Sequence, residues 1–378
     1  MDKIYYLDST ATQPMLKEVK EEVVKFLDQE YFNPSAVYAP SVDVKRKIEN
    51  ARKIILDALG SVDGSLVFTG SATEANNMVI FSQKNKNKKC LFGMGEHSSV
   101  RECALELQKR GFVVEFIPLD QTGHIDLLAF KQMMSEVVGF VSIQHVSNET
   151  GAINDIQKLV KIARRVNPNV VVHADGVQAF MRFEYSVADL DVDFYTISGH
   201  KIGASKGVGA LYVKKGAKIQ PLIFGGGQEK GLRSGTENVF TIISFGLATE
   251  INRRDLKKNC QNVATKKEKL LSEFKKQGLD YRLNSFEPCV PHIMSICLKE
   301  GIRGETLVHA LEPNGVYIST GSACSATKNM NRTLEAMGIS QDIILSSVRI
   351  SLSPYIDIDE DKVAEICKRE IDKLIGKK

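Results

Sequence analysis

Through its first two thirds the chain alternates short β-branched runs with stretches of helical period, and that rhythm limits the fold more than any single motif does. "SLVFTG" at 65–70 reads as a strand and "SATEANNMVIFSQK" as the helix behind it; "KCLFGM" is a second strand and "SSVRECALELQKRG" a helix stopped by Gly111. "FVVEFIPL", "VVGFVSIQHVS", the amphipathic "DIQKLVKIARRV", "NVVVHADG" and "DVDFYTIS" continue the pattern. Strands that alternate with helices predict an α/β fold: a mostly parallel central sheet with helices on both faces. "GVGALYVKKG" adds one more strand, a candidate for the antiparallel direction.

After about Thr236 the texture changes. A long helical stretch, roughly 239–277, has few breakers and many charges, as a helix bridging two domains would. It is followed by "HIMSICLK", a helix near 304–312, "GVYIST", "SSVRISLS" and a final amphipathic helix from about Asp357. The expected division is a large α/β domain over 13–250 and a smaller α+β domain built from 1–12 and 251–378.

Composition excludes several classes. Fifty basic and 46 acidic residues leave a formal charge of +4, too balanced for a nucleic-acid or membrane-surface footprint. No apolar run approaches the ~18 residues of a membrane span, and "MDKIYYLDST" lacks the features of a signal peptide. The seven cysteines form no CxxC pair and are odd in number, which argues against a disulfide framework or a zinc site and makes a reducing cytoplasm the expectation. No metal is expected.

The sequence holds no GxGxxG and no GxxxxGK[ST], so neither the dinucleotide fingerprint nor the P-loop is present. "GASKG" at 203–207 fits the G-x-S-x-G elbow, but a strand-like segment follows it where that motif needs a helix. Polar residues instead sit just beyond the carboxyl ends of the predicted strands: Thr69 to Thr73, His97, Asn148, Asp175, and Ser198 to Lys201. In open α/β sheets those ends form the binding crevice.

Each has a plain reading beside the chemical one. "GSATEANN" opens a helix whose N-terminus would bind a phosphate, or is an ordinary N-cap. Asp175 ends an apolar strand and would meet a protonated pyridine nitrogen, or a salt-bridge partner. Lys201, beside Ser198 and His200, would be a Schiff-base lysine, or a solvated loop lysine. Phosphate cradle, ring-nitrogen carboxylate and imine-forming lysine in this chain order together describe a pyridoxal 5'-phosphate site.

With "GHK" after a hydrophobic strand, "EHSS", "HVSNETG", "HADGVQA", "RSGTENV" and "STGSACSAT", nearly the whole chain resembles the cysteine desulfurases. These are the NifS-like branch of the class V aminotransferases, on the fold type I scaffold of pyridoxal phosphate enzymes. The resemblance implies Lys201 as the lysine that carries the cofactor, Asp175 on the pyridinium nitrogen, Gln178 at the ring hydroxyl and His97 stacked over the ring. It implies phosphate contacts from Ala72, Thr73, Ser198 and His200, and from Thr236 of the neighbouring subunit. Asn148 and Arg349 would hold the substrate carboxylate. Cys324 would accept sulfur from L-cysteine as a persulfide, leaving alanine. It lies in "STGSACSATKNM", a run of small and polar residues that reads as a mobile loop, where a thiolate can attack. A homodimer is implied, crossed by "GGGQEKGLRSGTEN", with a sulfur-acceptor protein (an iron–sulfur scaffold or a tRNA-thiolation enzyme) as a further partner and no direct contact with nucleic acid.

Three places depart from the family pattern. Ser9 and Gln13 stand where an aromatic residue or Asn, and Thr, are expected; Gly70-Ser71 inverts the usual order; Ser353 replaces a glycine. Rival readings are a selenocysteine lyase or a class V transaminase on the same fold, and a non-catalytic homologue that binds proteins.

Overall fold

The computed structural model describes residues 3–321 and 331–376. Its strands are β1 (Tyr5–Tyr6), β2 (Ser65–Thr69), β3 (Lys89–Gly93), β4 (Val113–Ile117), β5 (Val138–Gln144), β6 (Val171–Asp175), β7 (Phe194–Ser198), β8 (Gly209–Val213), β9 (Arg282–Leu283), β10 (Ile293–Cys297), β11 (Val316–Tyr317) and β12 (Ser347–Ser351). Seven of them form the central sheet in the order β2-β8-β7-β6-β5-β3-β4. Only β8 runs antiparallel to its neighbours, β2 and β7. The remaining pairs are parallel.

Alternation along each strand divides the apolar side chains between two faces. Leu66 and Phe68 of β2, Val141 and Ile143 of β5, and Tyr195 and Ile197 of β7 enter one cluster. The helices Ala39–Ala58, Ile156–Val166 and Val239–Arg254 pack on that cluster. Val67, Phe140 and Phe194 enter the opposite cluster, beneath Ala72–Phe81 and Ser98–Lys109. The α/β architecture read from the sequence is the one observed.

A third apolar cluster joins Leu7, Val263, Leu270, Phe274, Met294, Ile296, Val348, Ile350 and the inner face of the helix Glu360–Leu374. Here β12, β10 and β9 form an antiparallel sheet, and the N-terminal β1 pairs in parallel with β11. The helical stretch expected over 239–277 is two helices, Val239–Arg254 and Leu256–Lys276, that meet at Asp255. At φ −105° and ψ 11°, Asp255 leaves the helical well, and its carboxylate accepts from Arg254 Nη2 at 2.9 Å. The first helix serves the sheet cluster and the second the C-terminal one.

Candidate active site

The parallel strands bring their carboxyl ends to one edge of the sheet, and the segments leaving them surround a cavity of about 240 Å³. From β2 come Ser71, Ala72 and Thr73; from β3, His97 and Ser99; from β5, Gln144, Val146 and Asn148. Asp175, Val177 and Gln178 follow from β6, then Ser198, His200 and Lys201 from β7, with Thr10 of the N-terminal segment completing the wall.

Lys201 ends a single 3-10 turn, Gly199–Lys201. Its Nζ donates to the main-chain oxygens of Thr10 and Ala11, both at 2.7 Å. Burial lowers its pKa to about 8, helped by the Arg349 guanidinium and opposed by Asp8 and Asp175. An amine so placed is partly neutral near pH 7 and therefore nucleophilic. Burial, with Lys201 and Lys206 nearby, lowers His200 to about 4 and keeps it neutral; its Nδ1 lies 3.1 Å from Thr12 Oγ1.

Asp175 is 4% exposed at the end of β6. Oδ2 accepts from Asn76 Nδ2 at 2.9 Å and Oδ1 from the Val177 amide at 3.0 Å, so the carboxylate is oriented from both sides. Across the cavity, His97 caps the helix Ser98–Lys109, its Nδ1 accepting from the Ser99 amide at 3.2 Å. That bond leaves the proton of a neutral ring on Nε2. Burial holds His97 below the ordinary imidazole range, against Asp175 and with Lys201 and Arg349.

At the mouth of β2, Ser71 caps the helix Ala72–Phe81 by accepting from the Glu74 amide at 3.2 Å, while Gly70 N donates to Glu74 Oε2 at 2.9 Å. The inverted Gly70-Ser71 order thus gives a working cap, with the amides of Ala72 and Thr73 left as outward donors in the positive end of the helix dipole. Gly209 lets β8 approach this turn: a Cβ there would lie 2.4 Å from the carbonyl carbon of Ser71. Gly203 answers another demand of the glycine run, with φ +84° in the left-handed region.

Several buried polar atoms here, Gln178 Oε1, Gln144 Oε1 and Thr10 Oγ1, find no partner among the described residues. Unpaired buried acceptors are costly, and at a cavity wall they await a ligand's donor. Gln178 is held with its Nε2 on the Thr10 oxygen at 3.2 Å.

Arg349 is 4% exposed on β12 and outside the lining residues. It donates through Nη1 to the Asn148 oxygen at 3.0 Å and through Nη2 to Asp8 Oδ1 at 2.9 Å, with Nε unpartnered. Thr236 is exposed and does not line this cavity; the sequence reading had assigned it to the neighbouring subunit's site. Cys324 lies outside the described residues. Ala72, Thr73, His97, Asn148, Asp175, Gln178, Ser198, His200 and Lys201 meet at the one cavity. Asn76, Ser99, Thr10 and Asp8 were not read from the sequence as members of the site. Asn76 lies in the "GSATEANN" segment read as a helix start, but its burial against Asp175 is visible only in the structure.

Residues 5–362 match the Aminotransferase class-V family model, and the chain belongs to that family. Cysteine desulfurase IscS 1 of Archaeoglobus fulgidus is 34% identical over 375 residues, covering 98% of this chain and 97% of the relative. Among solved structures, a NifS-like protein superposes with a TM-score of 0.90 at 30% identity, covering 99% of this chain and 100% of the other. SspA in complex with cysteine superposes with a TM-score of 0.82 at 28% identity, over 94% of this chain and 100% of that one.

Proposed function

We propose that this chain is a pyridoxal 5'-phosphate-dependent cysteine desulfurase that converts L-cysteine to L-alanine and an enzyme-bound persulfide. Pyridoxal phosphate dependence is a general property of the family. The observation that carries the reading is the single cavity in which a partly neutral Lys201 amine and the doubly oriented Asp175 carboxylate share walls with a helix N-terminus. Its chemistry fits the cofactor: amides of Ala72 and Thr73 with Ser198 and His200 for a phosphate, Asp175 for a ring nitrogen, and the unpaired Gln178 Oε1 for a ring hydroxyl. When bound, the cofactor supplies an electron sink for bonds broken next to the substrate amine.

The remaining roles belong to the chain. Lys201, whose amine is held by the carbonyls of Thr10 and Ala11, would hold the cofactor, and its amine when free would move the substrate's α-proton. His97, neutral and with its proton on Nε2, covers the cavity and assists that transfer. Asn148 and Arg349 hold the substrate carboxylate. Cys324 attacks the substrate sulfur: the new S–S bond forms as the substrate's C–S bond breaks. The electron pair of the broken bond stays on the substrate carbon, which is protonated and leaves as alanine.

The sulfur then passes to an acceptor protein, an iron–sulfur scaffold or a tRNA-thiolation enzyme. A homodimer is part of the reading, with Thr236 completing the partner's site; the apolar Leu222, Ile223 and the 80%-exposed Phe224, just before Gly225, suit that interface. A cytoplasmic location is part of the same reading; no helix among the described residues is long and apolar enough to cross a membrane. One apolar cluster within 16–251 and another joining Tyr5 and Leu7 to residues 263–371 support a division between 13–250 and the pair 1–12 and 251–378, although Ile251 packs on the sheet side and Val146, Ala179, Val290 and Ile293 pack across the division.

The test is incubation with sulfur-labelled cysteine followed by trapping and mass spectrometry. The label is expected on Cys324, with alanine formed in equal amount and both lost in Cys324→Ala. Alanine and sulfide production unchanged in that variant would instead favour a lyase without a cysteine relay, and an amino-group exchange product would favour a transaminase.

A further inference from the structure

Two positions at which this sequence departs from the family pattern touch each other across the chain. The Ser353 hydroxyl donates to Gln13 Oε1 at 3.0 Å, and Gln13 Nε2 donates to the main-chain oxygen of Lys201 at 2.7 Å. Both side chains are buried, at 3% and 5% exposure. We propose that Gln13, held by Ser353, is a positioning residue that fixes the turn carrying Lys201. The proposal rests on the reading of Lys201 as the cofactor-bearing lysine.

Three observations carry it. The first is register. From Arg349 onward, every second residue reaches the N-terminal segment: Arg349 to Asp8, Ser351 Oγ accepting from the Thr10 amide at 2.9 Å, and Ser353 to Gln13. An extended backbone places i, i+2 and i+4 on one side, so Ser353 continues a seam that β12 begins.

The second is that the same segment grips Lys201 at both ends. Thr10 and Ala11 hold the amine, while the Gln13 side chain holds the residue's own carbonyl and the Gln13 main-chain N donates to the His200 oxygen at 3.2 Å. The Arg182 guanidinium donates to the same Lys201 oxygen at 2.6 Å.

The third is that the pair is mutually dependent. A threonine at 13 ends two bonds short of the Gln13 amide nitrogen, and a glycine at 353 offers nothing to the amide oxygen. Changing either residue alone leaves a buried polar atom unmatched, the costly arrangement. The Ser353 hydroxyl also accepts from the Tyr355 amide at 3.2 Å, which fixes its own orientation.

The test reads the amine in cofactor-free protein, by the pH dependence of Lys201 modification with an amine-directed reagent, resolved by peptide mass spectrometry. Wild type is expected to give a midpoint near pH 8. Gln13→Thr loosens the turn, hydrates the amine and moves the midpoint up by about half a unit, roughly a threefold loss of free amine below it. Gln13→Met keeps the length and packing but not the hydrogen bonds, and serves if the threonine variant does not fold; the same shift is expected. Ser353→Ala shifts the midpoint in the same direction and adds nothing in the Gln13→Met background, because it acts through Gln13. An unmoved midpoint in folded Gln13 variants, or additive effects of the two sites, overturns the proposal. Borohydride reduction with cofactor present separates the two ideas. Fixation away from Lys201 in wild type removes the underlying reading and the proposal with it; fixation at Lys201 with unmoved midpoints removes the proposal alone.

Discussion

The Nζ of Lys201 and the main-chain oxygen of Thr10, 191 residues apart in sequence, meet at 2.7 Å. The N-terminal segment therefore supplies part of the environment in which the amine titrates. A lysine whose pKa falls to about 8 on folding, from 10.5, contributes stability above the upper value and loses it as pH falls through the lower one. At neutral pH it costs stability. In cofactor-free protein, Lys201→Met is expected to be most stabilising relative to wild type near pH 7. That advantage should shrink by roughly 2–3 kcal/mol by pH 10, as read by urea unfolding at both values.

Gly209→Ala places a Cβ against the backbone of Ser71 and Ala72, at 2.4 and 2.5 Å. Neither chain can yield without moving the helix N-terminus. Overpacking of this kind costs about 1–3 kcal/mol, and cofactor affinity should fall about tenfold or more with the displaced amides. Gly207→Ala is the control. Its φ of +88° is strained for alanine, but nothing lies within 4 Å, so the thermal midpoint should drop with little change in cofactor titration.

Asp175→Asn keeps the shape and removes the charge. Losing a charged hydrogen bond of about 1.5–3 kcal/mol weakens cofactor binding roughly 10- to 100-fold, measured by absorbance during equilibrium dialysis. Asn76→Ala removes one of the two donors that orient the carboxylate, and a smaller loss in the same assay is expected.

Arg349→Lys tests the carboxylate site. The guanidinium spans Asn148 and Asp8 with two different nitrogens, which a single ammonium cannot reproduce. The KM for cysteine should rise about tenfold or more, the loss of a charged hydrogen bond, with the cofactor absorbance band retained. An unchanged KM with a lowered thermal midpoint would assign Arg349 to the Asp8 pair alone.

All seven strands of the central sheet were legible, because segments such as Val171–Asp175 and Phe194–Ser198 are short runs rich in β-branched and aromatic residues that end in polar ones. The helices Lys17–Gln29 and Ala39–Ala58 were not read. Each carries only a partial apolar stripe, Val19, Val23 and Phe26 in one and Val44, Ile48 and Ile55 in the other, within many charges. The break at Asp255 was missed because one aspartate in a run of helix formers does not by itself end a helix.

What the sequence determined is the set of chemical groups and the strand ends that carry them: Asp175 ends a strand, His97 and Lys201 closely follow one, and parallel strands must deliver their ends to one edge. The tertiary structure alone decided which neighbours tune them. Asn76 on Asp175, Thr10 on Lys201, Asp8 on Arg349 and Ser353 on Gln13 are contacts between segments 99, 191, 341 and 340 residues apart. Hydrogen bonds over such separations follow from strand order and from how the N-terminal segment docks, and neither leaves a local periodicity to read.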